Sequence, residues 1–137
     1  MIETALFTLL KNLIPQEEGK DQIFFLRAPD KAKGPFIIIQ RLDGDRWRSI
    51  NGPSGMAQAS FRIDCYSPGF YDLKAISNAV EETLDGYKGI VYHGNDSPQG
   101  YTRIAGISLT TETELLDETD DPLLYRHSAT YLVTYEQ

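Results

Sequence analysis

Between Ala57 and Gly86 the chain reads A-Q-A-S-F-R-I-D-C-Y-S-P-G-F-Y-D-L-K-A-I-S-N-A-V-E-E-T-L-D-G, a twofold alternation that turns sharply into a helical repeat. Ala57, Ala59, Phe61, Ile63 and Cys65 share one side of a strand, and Gln58, Ser60, Arg62, Asp64 and Tyr66 share the other. Ser67 is placed to cap the next helix, because its hydroxyl can accept from an unpaired first-turn amide. Pro68 then falls just inside, where a missing N–H is harmless. Phe70, Leu73, Ile76, Val80 and Leu84 recur at helical spacing, and Gly86 stands where a left-handed stop belongs. No obvious catalytic group lies in this unit, which reads as scaffold.

The flanking segments extend the pattern. Ile2, Leu6, Leu9, Leu10 and Leu13 give a short first helix one apolar face, and Glu3 with no early Lys or Arg argues against a secretory signal. Ile23 to Leu26, Phe36 to Leu42, Ile90 to His93, Tyr101 to Thr113 and Tyr125 to Tyr135 read as further strands. In the fourth of these, Arg103, Ala105, Ile107 and Leu109 share a face. In the last, His127, Ala129, Tyr131, Val133 and Tyr135 do. Asp43 to Met56 reads as a long loop or mobile hairpin, and Glu112 to Pro122 as an acidic connector. These elements predict an α+β fold: a single-layer antiparallel or mixed sheet of about five strands, two helices packed on one face, and long hairpin or loop excursions. Residues 1–137 are expected to form one domain, since a chain this long buries roughly two-thirds of its unfolded surface.

Charge and chemistry exclude more than they assign. The net charge of −7 disfavours non-specific binding to duplex nucleic acid. No apolar run is long enough to span a bilayer, so no membrane partner is expected. The lone Cys65 is expected inside as a small hydrophobe. No C-x-x-C, H-E-x-x-H, G-x-S-x-G or phosphate-binding glycine loop is present, so no catalytic residue, metal ligand or cofactor is assigned. His93 and His127 are read as packing or hydrogen-bonding residues. Asp64 with Asp72, or Glu81 with Glu82, would be the carboxylate pairs of a hydrolase, yet both pairs fall on expected solvent faces. Tyr66, Tyr71, Tyr125, Tyr131 and Tyr135 are read as core edges and interface aromatics.

The ordered set A-P-x(4)-G-P-F-I-I-I-Q (28–40), F-R-I-D-C-Y-S (61–67), A-V-E-E-T-L-D-G (79–86) and D-P-L-L-Y-R-H-S-A-T-Y-L-V-T-Y (121–135) resembles the tail completion, or tail terminator, proteins of long-tailed bacteriophages. The resemblance implies a non-enzymatic virion component made in the host bacterial cytoplasm. Such a protein forms a ring, typically a hexamer, at the head-proximal end of the tail. It stops growth of the tail-tube protein and joins the head-tail connector, leaving a channel through which DNA passes without specific binding. A neighbouring neck protein (stopper or completion) and, from another class, a small ligand- or peptide-binding α+β domain remain alternatives.

Two segments are candidate sites. Arg41, Arg46, Trp47 and Arg48 combine aromatic area with planar donors, a composition suited to contact with the tube or a neighbouring subunit. An inward-folded Trp47 anchoring its loop, or nucleic-acid contact, would use the same residues. Glu112, Glu114, Asp117, Glu118, Asp120 and Asp121 form an acidic run that reads as a solvated connector, a channel-lining or connector-facing collar, or a hard-cation site. The last lacks the mid-loop glycine and alternate spacing of a calcium loop.

Overall fold

The computed structural model describes residues 2–11, 13, 23–25, 35–49, 52–92, 100–117 and 124–136, with side chains of 43–49, 52–55, 115–117 and 124 outside that description. In chain order the elements are α1 (Ile2–Leu10), β1 (Ile23–Phe25), β2 (Phe36–Ser49), β3 (Gly52–Ser67), α2 (Phe70–Leu84), β4 (Gly89–Tyr92), β5 (Tyr101–Asp117) and β6 (Leu124–Glu136). The strands form one mixed sheet of order β1-β2-β3-β6-β5-β4, in which only the β1–β2 pair is parallel. The fold is therefore α+β as expected, with six strands where about five were read.

Alternation along β3 builds the core. Ala57, Ala59, Phe61, Ile63 and Cys65 are all buried, and they meet Ile37 and Ile39 of β2 and Ala129, Tyr131 and Val133 of β6. Leu73, Ile76, Val80 and Leu84 of α2 join the same cluster, together with Ile2, Ala5, Leu6 and Leu10 of α1. Leu9 and Leu13 pack against it while half-buried, but Phe70 is 41% exposed and leaves the helix's buried stripe. The sheet curls as a half-barrel, and α1 reaches elements at both of its edges. Phe7 meets Phe25 of β1 with ring centroids 6.3 Å apart, while the same helix packs on β4 and β5.

The turn into α2 differs from the sequence reading. Gly69 occupies the N-cap without a side-chain cap, and the Ser67 hydroxyl instead accepts from the Gly69 amide at 3.2 Å. Pro68 consequently lies before the helix. At the other end Gly86 does adopt the left-handed conformation, with φ of +81°, and its amide donates to Ile107 of β5.

Two strands are longer than their sequences suggested. Residues 43–49 and 52–56 are paired as the outer part of the β2–β3 hairpin, through to Ser49 opposite Gly52. Residues 112–117 continue β5, ending with Asp117 opposite Leu124. In β5 a register shift around Ala105 exchanges faces, so Thr102, Ile104 and Ile107 are buried while Arg103 and Ala105 are exposed. The face expected from Arg103, Ala105, Ile107 and Leu109 is thus broken by a bulge.

Two measurements follow from this core. Leu10, fully buried where α1 meets the sheet, should cost about 3 kcal/mol as Leu10→Ala in urea unfolding. Burial pushes the Cys65 thiol up to about 12, and burial likewise raises the Tyr131 phenol. Unfolded chains release these protons from their ordinary 9.0 and 10.0 while the folded state retains them, so stability falls as pH rises. Above pH 9 the Cys65 contribution should approach about 1.4 kcal/mol per pH unit, and Cys65→Ala should flatten that slope.

Candidate functional site

The two candidate segments occupy opposite ends of the sheet. The β2–β3 hairpin continues past the last β3–β6 pair, Met56 with Glu136, by four residues of β3, a projection of about 13 Å. Arg46 and Arg48 lie in this projecting ladder, opposite Ala57 and Pro53, and Trp47 falls at the register shift between them. Their side chains lie outside the described residues. Arg41 is separate from them: its Nη1 lies 3.5 Å from Glu3 Oε1 and ties β2 to α1.

The acidic run sits at the other end, where β5 leaves and β6 enters the sheet. Glu112 and Glu114 are not loop residues, as expected, but strand residues opposite Ala129 and His127. Each has a basic partner within the chain. Glu112 Oε2 lies 3.2 Å from Nε2 of the buried His127, and Glu114 accepts from Lys74 of α2. Asp117 ends β5 with its side chain undescribed, and Glu118, Asp120 and Asp121 lie outside the described residues. Alongside this end, Phe70 and Tyr71 are exposed, Tyr71 by 86%, and Phe70 packs edge-on against Tyr125 at 5.7 Å. Tyr131 is fully buried and Tyr135 nearly so, so these two are core residues.

The sheet face opposite the core carries a charge network that the sequence reading missed. Asp64 was expected in solvent, yet its side chain is only 5% exposed. Its Oδ2 accepts from Arg126 Nη2 at 3.0 Å and lies 3.3 Å from Arg62 Nε. Arg62 Nη2 donates to Gln40 on β2, and the Arg126 guanidinium lies over the Tyr66 ring at 5.6 Å. Tyr66 in turn stacks on Phe36 at 4.8 Å. Strand register brings the network together: Gln40 faces Arg62, and Arg126 faces Tyr66. The R-x-D spacing of Arg62 and Asp64 was visible in sequence, but Arg126 joins them only once β6 is paired with β3.

His93 lies outside the described residues. Asp72 is exposed, whereas Asp64 is held by arginines, so these two carboxylates sit in unlike surroundings and are not brought together as a pair. Among the described residues no group of three or more His, Cys, Asp or Glu is arranged to hold a metal ion. Among the described residues, no helix is long and apolar enough to cross a membrane.

A curled mixed sheet, a projecting hairpin and distinct ends define a structural α+β module. The chain belongs to the tail completion protein gp17 family, whose model matches residues 4–136, and is thus a structural protein of phage tails. A chain of the virion of a native gene transfer agent (GTA) particle has the same fold. The match has a TM-score of 0.61 and 18% identity, and spans 96% of this chain and 84% of that one. No curated protein sequence gives a significant match.

The network has a measurable consequence. Asp64→Ala would leave two half-buried guanidiniums without their shared counter-charge, which should cost about 2 kcal/mol in urea unfolding, discounted for the partial exposure of both arginines. Asp64→Ala combined with Arg126→Met should recover part of that loss.

Proposed function

We propose that this protein is the tail terminator of a long-tailed phage or phage-like particle: a single domain, its two helices on one face of the sheet, that closes into a homomeric ring, hexameric in the family's manner, on the last ring of tail-tube protein. The ring halts tube polymerisation, presents a new surface to the head-tail connector at the head-proximal end of the tail, and leaves a central channel for DNA.

The observation that carries this reading is the polarity of the subunit. A cap that ends a stack needs two unlike faces, one that matches the tube and one that does not reproduce the tube's own recruiting surface. Here a projecting hairpin bearing Arg46, Trp47 and Arg48 marks one end of the sheet, and the end of β5 at Asp117, where the acidic sequence continues, marks the other. The hairpin is assigned to the tube or the neighbouring subunit. An isolated two-stranded ladder is marginally stable on its own, so one that extends beyond its sheet gains by docking. Asp117, Glu118, Asp120 and Asp121 are assigned to the connector side or channel mouth, where like charge keeps DNA from adhering as it passes. Glu112 and Glu114, already paired within the subunit, are left out of that collar. Kinship with a family of tail completion proteins and the shared fold with a virion chain support the assignment.

The test is a hairpin variant in which Arg46, Trp47 and Arg48 are all replaced by Ala. It should fold with unchanged thermal stability yet fail to cap purified tail tubes, with at least tenfold fewer tails joined to heads by electron microscopy. Normal capping by the folded variant would remove the hairpin from the mechanism.

A further inference from the structure

His127 is a buried imidazole where α2, β5 and β6 meet. Its side chain is 9% exposed, and its Nε2 lies 3.2 Å from Oε2 of Glu112, which keeps 54% of its own side chain in solvent. Across the ladders His127 faces Glu114 of β5 and Cys65 of β3. Lys74 of α2 donates to Glu114, and Phe70 of the same helix stands edge-on to Tyr125, two residues before His127 in β6. Other titratable groups nearby are neutral or turned elsewhere. Burial holds the Cys65 thiol and the Tyr131 phenol protonated, and Glu81 of α2 acts on that phenol. Asp64 and Arg126 pair with each other on the opposite face of the sheet. With a neutral imidazole, the cluster among the described residues thus sets the carboxylates of Glu112 and Glu114 against the single ammonium of Lys74. The sequence running on from β5 to β6, L-L-D-E-T-D-D-P-L-L (115–124), contains no cation to reverse that balance.

We infer that His127 is a proton-responsive latch: on taking a proton it closes an ion pair with Glu112 and fastens the outer ladder of β5 and β6, with the start of α2, at the acidic end of the sheet. Two effects compete over that proton. Burial disfavours a charged imidazole, whereas a carboxylate in direct contact favours it. The contact prevails here because protonation cancels the cluster's one unbalanced negative charge, and because Glu112 keeps enough solvent to stay ionised. Protonation also removes the dependence on tautomer. A neutral ring donates from only one nitrogen, while the charged ring donates from both, so Nε2 then always offers Glu112 a charge-assisted hydrogen bond. The latch is a property of the single subunit and goes beyond the terminator reading without resting on it.

Amide hydrogen exchange of the intact protein tests the latch, with protection factors corrected for the intrinsic pH dependence of exchange. The comparison is between about pH 5.5 and about pH 8, which bracket the ordinary imidazole range and lie above that of carboxylates. The readout is the protection of residues 112–114 and 125–127 relative to residues 57–61 of β3, which report opening of the sheet away from the latch. Relative protection should be roughly threefold to fivefold higher at the lower pH, the step from a neutral to a charge-assisted hydrogen bond. High salt should shrink that difference, since Glu112 is half in solvent. Glu112→Gln keeps a hydrogen-bonding side chain without the charge and should abolish it. Should Glu112→Gln fail to fold, the wild-type salt series decides. Equal relative protection at both pH values, better protection at the higher one, a difference that salt leaves untouched, or one that survives in the folded Glu112→Gln variant would each overturn the latch.

Discussion

Strand β3 runs through the middle of the sheet, and its two faces do unlike work. One row, from Ala57 to Cys65, is buried, packs against α2 and meets the facing rows of β2 and β6. The other row carries Arg62, Asp64 and Tyr66, whose partners come from those same two neighbours. A one-residue slip would exchange the rows, placing a charge network in the core and the apolar row outside. Register along β3 is therefore the constraint on which the core, the curl of the sheet and the placement of both ends depend.

Much of this was legible in sequence for a physical reason. The alternation of β3 and β6 and the helical stripe of α2 are local patterns, and burial followed them at Leu73, Ile76, Val80 and Leu84 and at His127, Ala129 and Tyr131. What escaped was set by pairing between distant segments. The acids at Glu112 and Glu114 read as a connector, yet cross-strand pairing and contacts with His127 and Lys74 keep them in a strand. The glycines and polar residues of 43–56 left a long loop and a mobile hairpin both open, and it is the pairing of the two halves that makes the hairpin. A single extra residue at Ala105 reversed the faces of β5, something that strict alternation cannot register. Asp64 looked solvated because the residues that share its face of the strand, from Gln58 to Tyr66, are mostly polar, and the arginine that covers it arrives from β6.

The resemblance to the tail completion family, whose model matches residues 4–136, was carried by an ordered set of segments rather than by any single motif, and the structure explains why that order matters. Three of those segments are the middle strands β2, β3 and β6, which lie side by side although β6 closes the chain. The fourth is the end of α2, where Gly86 ties the helix to β5. The matched residues are the frame. Of the candidate contact residues, Arg46, Trp47, Arg48 and Asp117 stand at its two ends, while Arg41, Glu112 and Glu114 are tied into it, so shape was easier to read than the assignment of each end.

The central claim is that the protein acts by geometry, ending a stack of rings. The most direct measurement is the length distribution and head attachment of tails assembled in cells lacking this gene product, read by electron microscopy. The account predicts tails of irregular, mostly excessive length with unattached heads, restored by supplying the protein. Tails of normal length joined to full heads in its absence would contradict it.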